Sequence, residues 1–163
     1  MRVFNLITFI APLCASAIAA KKVLPGYKHL YSWSLEISEI TANTIQGPLG
    51  TRIGVAILGG NMTSPKGQLI AKAVPGLGGD TGIIDKDGTV LIDARVYYQF
   101  IDDKKYAYVV SGGVGSIGGA PIDSIRIETD SPSRSAWNSY FIVGNVSVGA
   151  TGFLQGDAFT FSG

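Results

Sequence analysis

The sequence predicts an all-β fold, a single antiparallel β-barrel of roughly eight to ten strands with one short helix near residues 131–138. Three observations carry this. β-prone runs with apolar residues at every second position recur along the chain, with turn signals between them. Glycine, with 22 copies, marks nearly every corner. Proline is almost absent from the interiors of the runs, as strand pairing requires. Closure into a barrel is favoured because it removes unpaired strand edges, and a last strand pairing with the first would achieve it.

The first segment reads as a secretory signal peptide over residues 1–20. Arg2 gives the positive start, Val3 to Leu13 is apolar almost throughout, and Ala17-Ile18-Ala19 offers a small-residue cleavage site before Lys21-Lys22. The apolar run is short for a membrane span. The barrel domain is then 21–163, without cysteine, because Cys14 falls in the leader. It has neither disulfides nor a thiol nucleophile. Removing Arg2 leaves 12 basic residues against 12 acidic ones, a formal charge of zero. No basic run exceeds two residues, which argues against nucleic acid and against an anionic membrane surface as partner.

Within the domain, Leu30–Ile40 alternates, with Tyr31, Trp33, Leu35 and Ile37 on one face. Thr41–Gly50 reads as a polar loop. Thr51–Leu58 is a second strand with Ile53, Val55 and Ile57 on one face and Arg52 opposite, broken by Gly59-Gly60-Asn61. Gln68–Val74 is a third, closed by Pro75.

The stretch Gly76–Arg95 is the organising one. A Gly-rich corner, Gly76 to Asp80, feeds a short strand, and Asp87-Gly88 makes a tight turn. The strand that follows runs to Phe100, with Val90, Ile92, Ala94 and Val96 on one face and Leu91, Asp93, Arg95 and Tyr97 on the other. That second face is either a solvent-facing side with an ion pair or a barrel interior that holds a polar ligand.

Asp102-Asp103-Lys104 makes the next turn, and Lys105–Ser111 the return strand with Tyr106 and Tyr108 in register. Gly112–Gly119 reads as a glycine-rich loop, and Ile122–Thr129 alternates with Ile125 and Ile127 against Arg126 and Glu128. Ser131-Pro132 opens the helix, with Ser131 as its cap. Tyr140–Val148 and Gly152–Phe161 are the last strands.

Few motifs carry chemistry. Gly113-Val114-Gly115-Ser116-Ile117-Gly118 matches a dinucleotide fingerprint, but Ala120-Pro121 and a strand follow where a helix would have to start. His29 is the single histidine, and no serine stands in a recognisable nucleophile context. A histidine or thiolate metal site is disfavoured, so neither metal nor cofactor is expected. Asp85, Asp87, Asp102 and Asp103 would suit an all-oxygen calcium site but sit where turns need aspartate. Asn61-Met62-Thr63 and Asn145-Val146-Ser147 are N-glycosylation sequons, and Asn61, read as a loop residue, is the better acceptor. Tyr31, Trp33, Tyr97, Tyr106, Tyr108 and Trp137 form an aromatic set that serves either the core or a ligand pocket.

The order of short fragments resembles domain of unknown function family 3237, small proteins of bacteria and fungi. The fragments are Gly50-Thr51-Arg52, Gly59-Gly60, Gly67, Pro75-Gly76, Gly78-Gly79-Asp80, Asp87-Gly88, Asp93-Ala94-Arg95, Asp102-Asp103, Gly113, and Glu128 to Pro132 before Ala136-Trp137. The resemblance covers roughly Leu30 to Phe161. Where the family has tryptophan after Gly-Gly-Asp, this chain has Thr81; where the family has Gly-Pro after the double glycine, it has Ser64-Pro65-Lys66-Gly67. The resemblance implies a compact antiparallel barrel, lipocalin-like in outline, with no settled activity.

The resulting expectation is a secreted barrel that binds a small, partly apolar organic ligand, such as a secondary metabolite. Arg52, Arg95, Tyr97, Tyr108 and Trp33 are the candidate ligand-binding residues. An enzyme of the same shape is the alternative, a cofactor-independent isomerase, cyclase or lyase with Asp93 or Asp80 as general acid or base. A structural or surface protein without a pocket is the third reading. The expected partner is a small molecule, and a homo-oligomer is compatible with the sequence.

Overall fold

The computed structural model describes residues 26–116, 118–148 and 152–161. The expected signal peptide at 1–20, with Cys14, lies outside them. Twelve strands form: β1 (Tyr27–Ile37), β2 (Thr44–Gly47), β3 (Gly50–Ile53), β4 (Val55–Thr63), β5 (Leu69–Asp80), β6 (Ile83–Ile84), β7 (Thr89–Phe100), β8 (Tyr106–Ser116), β9 (Ile122–Thr129), β10 (Ile142–Asn145), β11 (Ser147–Val148) and β12 (Phe153–Phe161). The wall is an eight-stranded antiparallel barrel, in which β7, β5, β4, β1, β12, β10, β9 and β8 pair in turn and β8 pairs back onto β7. The last strand meets the first, with Tyr27 opposite Phe161 and Leu35 opposite Leu154. The β2–β3 hairpin and β6 continue the sheet outward from β7.

Period-two alternation decides which residues fill the interior. Leu35 and Ile37 of β1, Ile57 of β4, Val96 and Tyr98 of β7, Val109 of β8 and Ile125 and Ile127 of β9 are buried together. One end of the barrel is closed by a 3₁₀ helix, Pro132–Ser139. Its Trp137 stacks on Tyr31 with ring centroids 5.7 Å apart and meets Phe100 edge-on at 6.0 Å. Arg134 lies over the Phe100 ring, 4.1 Å from the centroid, and makes a two-pronged hydrogen bond to Asp102, at 3.1 and 3.0 Å. These anchors hold a 3₁₀ run longer than such helices usually are.

Several expectations are corrected. Ser131 makes no side-chain cap; its hydroxyl donates instead to Asp103 Oδ2 at 2.6 Å, tying the helix to the β7–β8 turn. The polar loop at 41–50 contains β2. Gly54 divides the second strand into β3 and β4. Gly59-Gly60 does not end β4: Gly60 takes a φ of +144° at a bulge opposite β1, and a Cβ there would lie 2.9 Å from Leu35 Cα. β5 likewise runs past Pro75 through a bulge between Ala73 and Gly78. Gly112 to Ser116, read as loop, is paired strand of β8.

Candidate functional site

The interior is apolar except at a few places. On β9, Asp123 shares the inward face with Ile125 and Ile127 and is 2% exposed. Its Oδ2 accepts the Ser111 hydroxyl from β8, while its Oδ1 has no hydrogen-bond partner. Its cross-strand neighbours are both glycine, Gly113 on β8 and Gly144 on β10. A Cβ on Gly113 would come within 2.8 Å of Asp123 Cβ, so the first glycine of the nucleotide-like motif serves close strand packing beside a buried carboxyl.

Asp80 closes β5 and also faces the interior. Its Oδ1 accepts the Gly82 N–H at 2.9 Å and, more weakly, the Asp93 N–H at 3.4 Å. Burial pushes both carboxyls above the ordinary aspartate range. For Asp80 the two backbone N–H groups oppose the rise and the Asp93 charge adds to it; for Asp123 the Ser111 bond opposes it. The phenols of Tyr31 and Tyr98 are buried and also raised, chiefly by desolvation, Tyr31 further by Tyr98 and Asp123.

These groups line a cavity in two adjoining parts that share lining residues. The inner part, about 60 Å³, is bounded by Tyr31, Trp33, Tyr98, Ser111 and Asp123. The outer part, about 210 Å³, lies toward the end opposite the 3₁₀ helix, among Ile37, Ile40, Ile53 and Val90, with Ser116 and Pro121 at its rim. Asp80, Ile92, Val146 and Leu154 border both. Among the described residues no lysine, arginine or histidine lines either part.

Of the residues singled out in the sequence, Trp33, Asp80 and, from the aromatic set, Tyr31 reach this cavity. Asp93, Arg95, Tyr97 and Tyr108 do not. β7 turns its apolar face inward, so of the two alternatives for Asp93, Arg95 and Tyr97 the solvent-facing side with an ion pair is the one found, and their role as interior ligand or catalytic groups is not met. Arg95 Nη1 lies 2.6 Å from Asp93 Oδ1, with the two side chains 47% and 46% exposed. Tyr97 and Tyr108 pack against each other outside the wall, ring centroids 4.9 Å apart. Arg52 is exposed and donates to the Thr81 carbonyl at 2.7 Å. Asp123, Ser111 and Tyr98 as site residues escaped the sequence reading. The available signal was parity, since Asp123 stands two residues before Ile125 on an alternating strand.

Other constellations resolve differently. His29, Ser32 and Asp157 meet on the surface, but Ser32 gives its proton to Asp157 at 2.6 Å, and the same Asp157 oxygen lies 3.3 Å from His29 Nε2. Acid and serine thus share one ring nitrogen, which is not the relay of a catalytic triad. Asp85 accepts the Asp87 and Thr89 N–H groups of its turn. No group of three potential metal ligands exists among the described residues. Asn61 is exposed, though on β4 rather than in a loop, and Asn145 accepts the Asp157 N–H at 2.8 Å.

Known structures share the fold. A conserved protein of unknown function from Rhodopseudomonas palustris superposes with a TM-score of 0.74 at 20% identity, covering 85% of this chain and 98% of that one. A beta-barrel like protein from Acinetobacter baumannii gives 0.69 at 21%, covering 87% and 100%. An enzyme from Penicillium herquei gives 0.65 at 17%, covering 89% and 100%. No curated protein matches the sequence. Residues 25–151 match a family described as protein of unknown function (DUF3237).

Proposed function

The chain belongs to the DUF3237 family, and we propose that it is an exported barrel that binds a small, partly apolar organic molecule in its interior cavity. The observation that carries this reading is the buried Asp123, with an unpartnered oxygen on the wall of an otherwise apolar space. A buried polar atom without a partner is costly, and a ligand that pairs with it would offset that cost. The space suits a modest ligand. A dry cavity of about 150 Å³ accommodates benzene, so the outer part, at about 210 Å³, has room for one substituted ring, and the inner part for a small polar substituent. Export rests on residues 1–20, and with it the use of the exposed Asn61 as a glycosylation acceptor. Native mass spectrometry of the protein purified from its own source tests the reading. A retained small molecule, lost on denaturation and absent from an Ala94→Leu variant with a filled cavity, is the expected result. A wild-type protein that stays free of ligand against a broad panel of ring compounds would sink it.

A second reading is favoured by the burial that raises the pKa of both carboxyls and by the structurally similar enzyme from Penicillium herquei. A carboxyl kept protonated by burial can give its proton to one atom of a bound substrate, while the other carboxyl, ionised, takes a proton from a second atom. Such an exchange is proton-neutral and fits an isomerisation or cyclisation without cofactor. Conversion of the retained molecule by wild type but not by Asp80→Asn or Asp123→Asn would separate catalysis from binding.

A further inference from the structure

We propose that the cavity selects ligands bearing a protonated amine beside an apolar ring, the ammonium resting against Asp123 Oδ1. This rests on the reading of the interior as a ligand site. Among the described residues every titratable acid or base with a side chain bordering the cavity, the phenols aside, is a carboxyl: Asp123 in the inner part, Asp80 between the two parts, with no cation beside either. A carboxylate ligand would bring a negative charge into a low-dielectric space with no cation to pair it, which is strongly disfavoured. An ammonium does the opposite. It supplies the donor that Asp123 Oδ1 lacks, and its positive charge offsets part of the cost of ionising that carboxyl. Because Ser111 already donates to Oδ2, Oδ1 is the oxygen left for an incoming donor. Tyr31, Trp33 and Tyr98 border the same inner part, and aromatic faces attract cations as well as apolar rings. The arginines that could have engaged an anion, Arg52 and Arg95, stand outside the wall.

Three probes of closely similar size and different charge decide the matter: 2-phenylethylamine, 2-phenylethanol and phenylacetate, titrated by calorimetry into protein produced from the full-length sequence. The amine is expected to bind at least about tenfold more tightly than the alcohol, as one charge-assisted hydrogen bond provides, and the carboxylate not at all. The preference should vanish in Asp123→Asn while alcohol binding persists. The wild-type comparison stands without the variant, so a failure of the variant to fold does not rescue the proposal. Alcohol or carboxylate binding as tight as amine binding overturns the charge selection and leaves the pocket standing. Binding of none of the three overturns both the selection and the pocket.

Discussion

Asp123 and Gly144 are direct cross-strand partners, and the glycine leaves open the space that Asp123 Oδ1 occupies. A Cβ at Gly144 would collide with that oxygen and would also lie 2.8 Å from Ile125 Cδ1. The absence of a side chain on β10 is therefore what lets a carboxyl sit inside the wall. Gly144→Ala should destabilise the barrel by about 1–3 kcal/mol, the usual cost of overpacking, and should displace Asp123 from the cavity. Adding Asp123→Ala should recover part of the loss, because the carboxylate half of the collision is gone. Urea denaturation of the two single variants and the double variant reads the coupling. Strictly additive losses would mean that the two residues do not share this space.

The two interior carboxyls should give the protein an unusual response to pH. Burial raises Asp80 and Asp123 in the folded state above their unfolded values. Their contribution to stability is complete below the unfolded carboxyl range and is lost as pH rises through the raised folded values. Asp85, Asp102 and Asp130 have the opposite sign. The Thr89 N–H lowers the first most, the Arg134 hydrogen bond the second, and the Lys105 hydrogen bond the third. Their contributions are present above the unfolded range and fail as pH falls through the depressed folded values. Asp123→Asn isolates one interior group. Its melting temperature relative to wild type should climb between pH 4 and pH 8, by at least about 3 °C, the change that ~1 kcal/mol produces in a domain of this size. Parallel melting curves for the two proteins would show that burial does not hold Asp123 protonated.

Arg134 clamps the closed end of the barrel. Its side chain is 13% exposed, it grips Asp102 with two nitrogens, and it covers the face of Phe100. Arg134→Ala should cost about 1–3 kcal/mol through lost hydrogen bonds and lost packing. Arg134→Lys should recover only a minority of that, because an ammonium has no planar fork to match the carboxylate or stack on the ring. Ligand retention should survive in both variants, since the cavity is lined elsewhere. Equal stability of the lysine variant and wild type would reduce the contact to simple charge pairing.

Parity made much of this molecule readable in advance. A two-residue period, unbroken along β7 and running from Tyr31 to Ile37 in β1, declared the buried faces directly, and the pairing of the last strand with the first follows from the need to close the sheet. The same period placed Asp123 with Ile125 and Ile127, but a charge on a strand is assigned to the surface by default, and only the closed wall shows that this one is inside. Asp80 was harder. Its inward direction depends on the bulge between Ala73 and Gly78, which resets the alternation along β5 and is fixed by pairing with β7 rather than by local sequence. Glycines read as strand breaks at Gly59-Gly60 and Gly112-Gly113 proved to be places where strands bend or crowd.

Ala94 and Arg95 are consecutive residues on opposite sides of the wall, and their substitutions should separate cleanly. Arg95 is paired with Asp93 in water, so Arg95→Ala and Asp93→Asn should leave both melting temperature and ligand retention within error of wild type. Ala94 borders the inner cavity, and Ala94→Leu should fill it, at a cost of about 1–3 kcal/mol for the added bulk, and abolish retention of any bound molecule. Native mass spectrometry beside thermal melts checks all three variants. Loss of the ligand from Arg95→Ala with retention in a folded Ala94→Leu would move the site to the outer face of β7. There the Tyr97 and Tyr108 rings lie against each other, and Gly78, Gly79 and Arg95 border a shallow groove. The inward direction of Asp80, Asp123 and Trp33, against the outward direction of both arginines, argues for the opposite result.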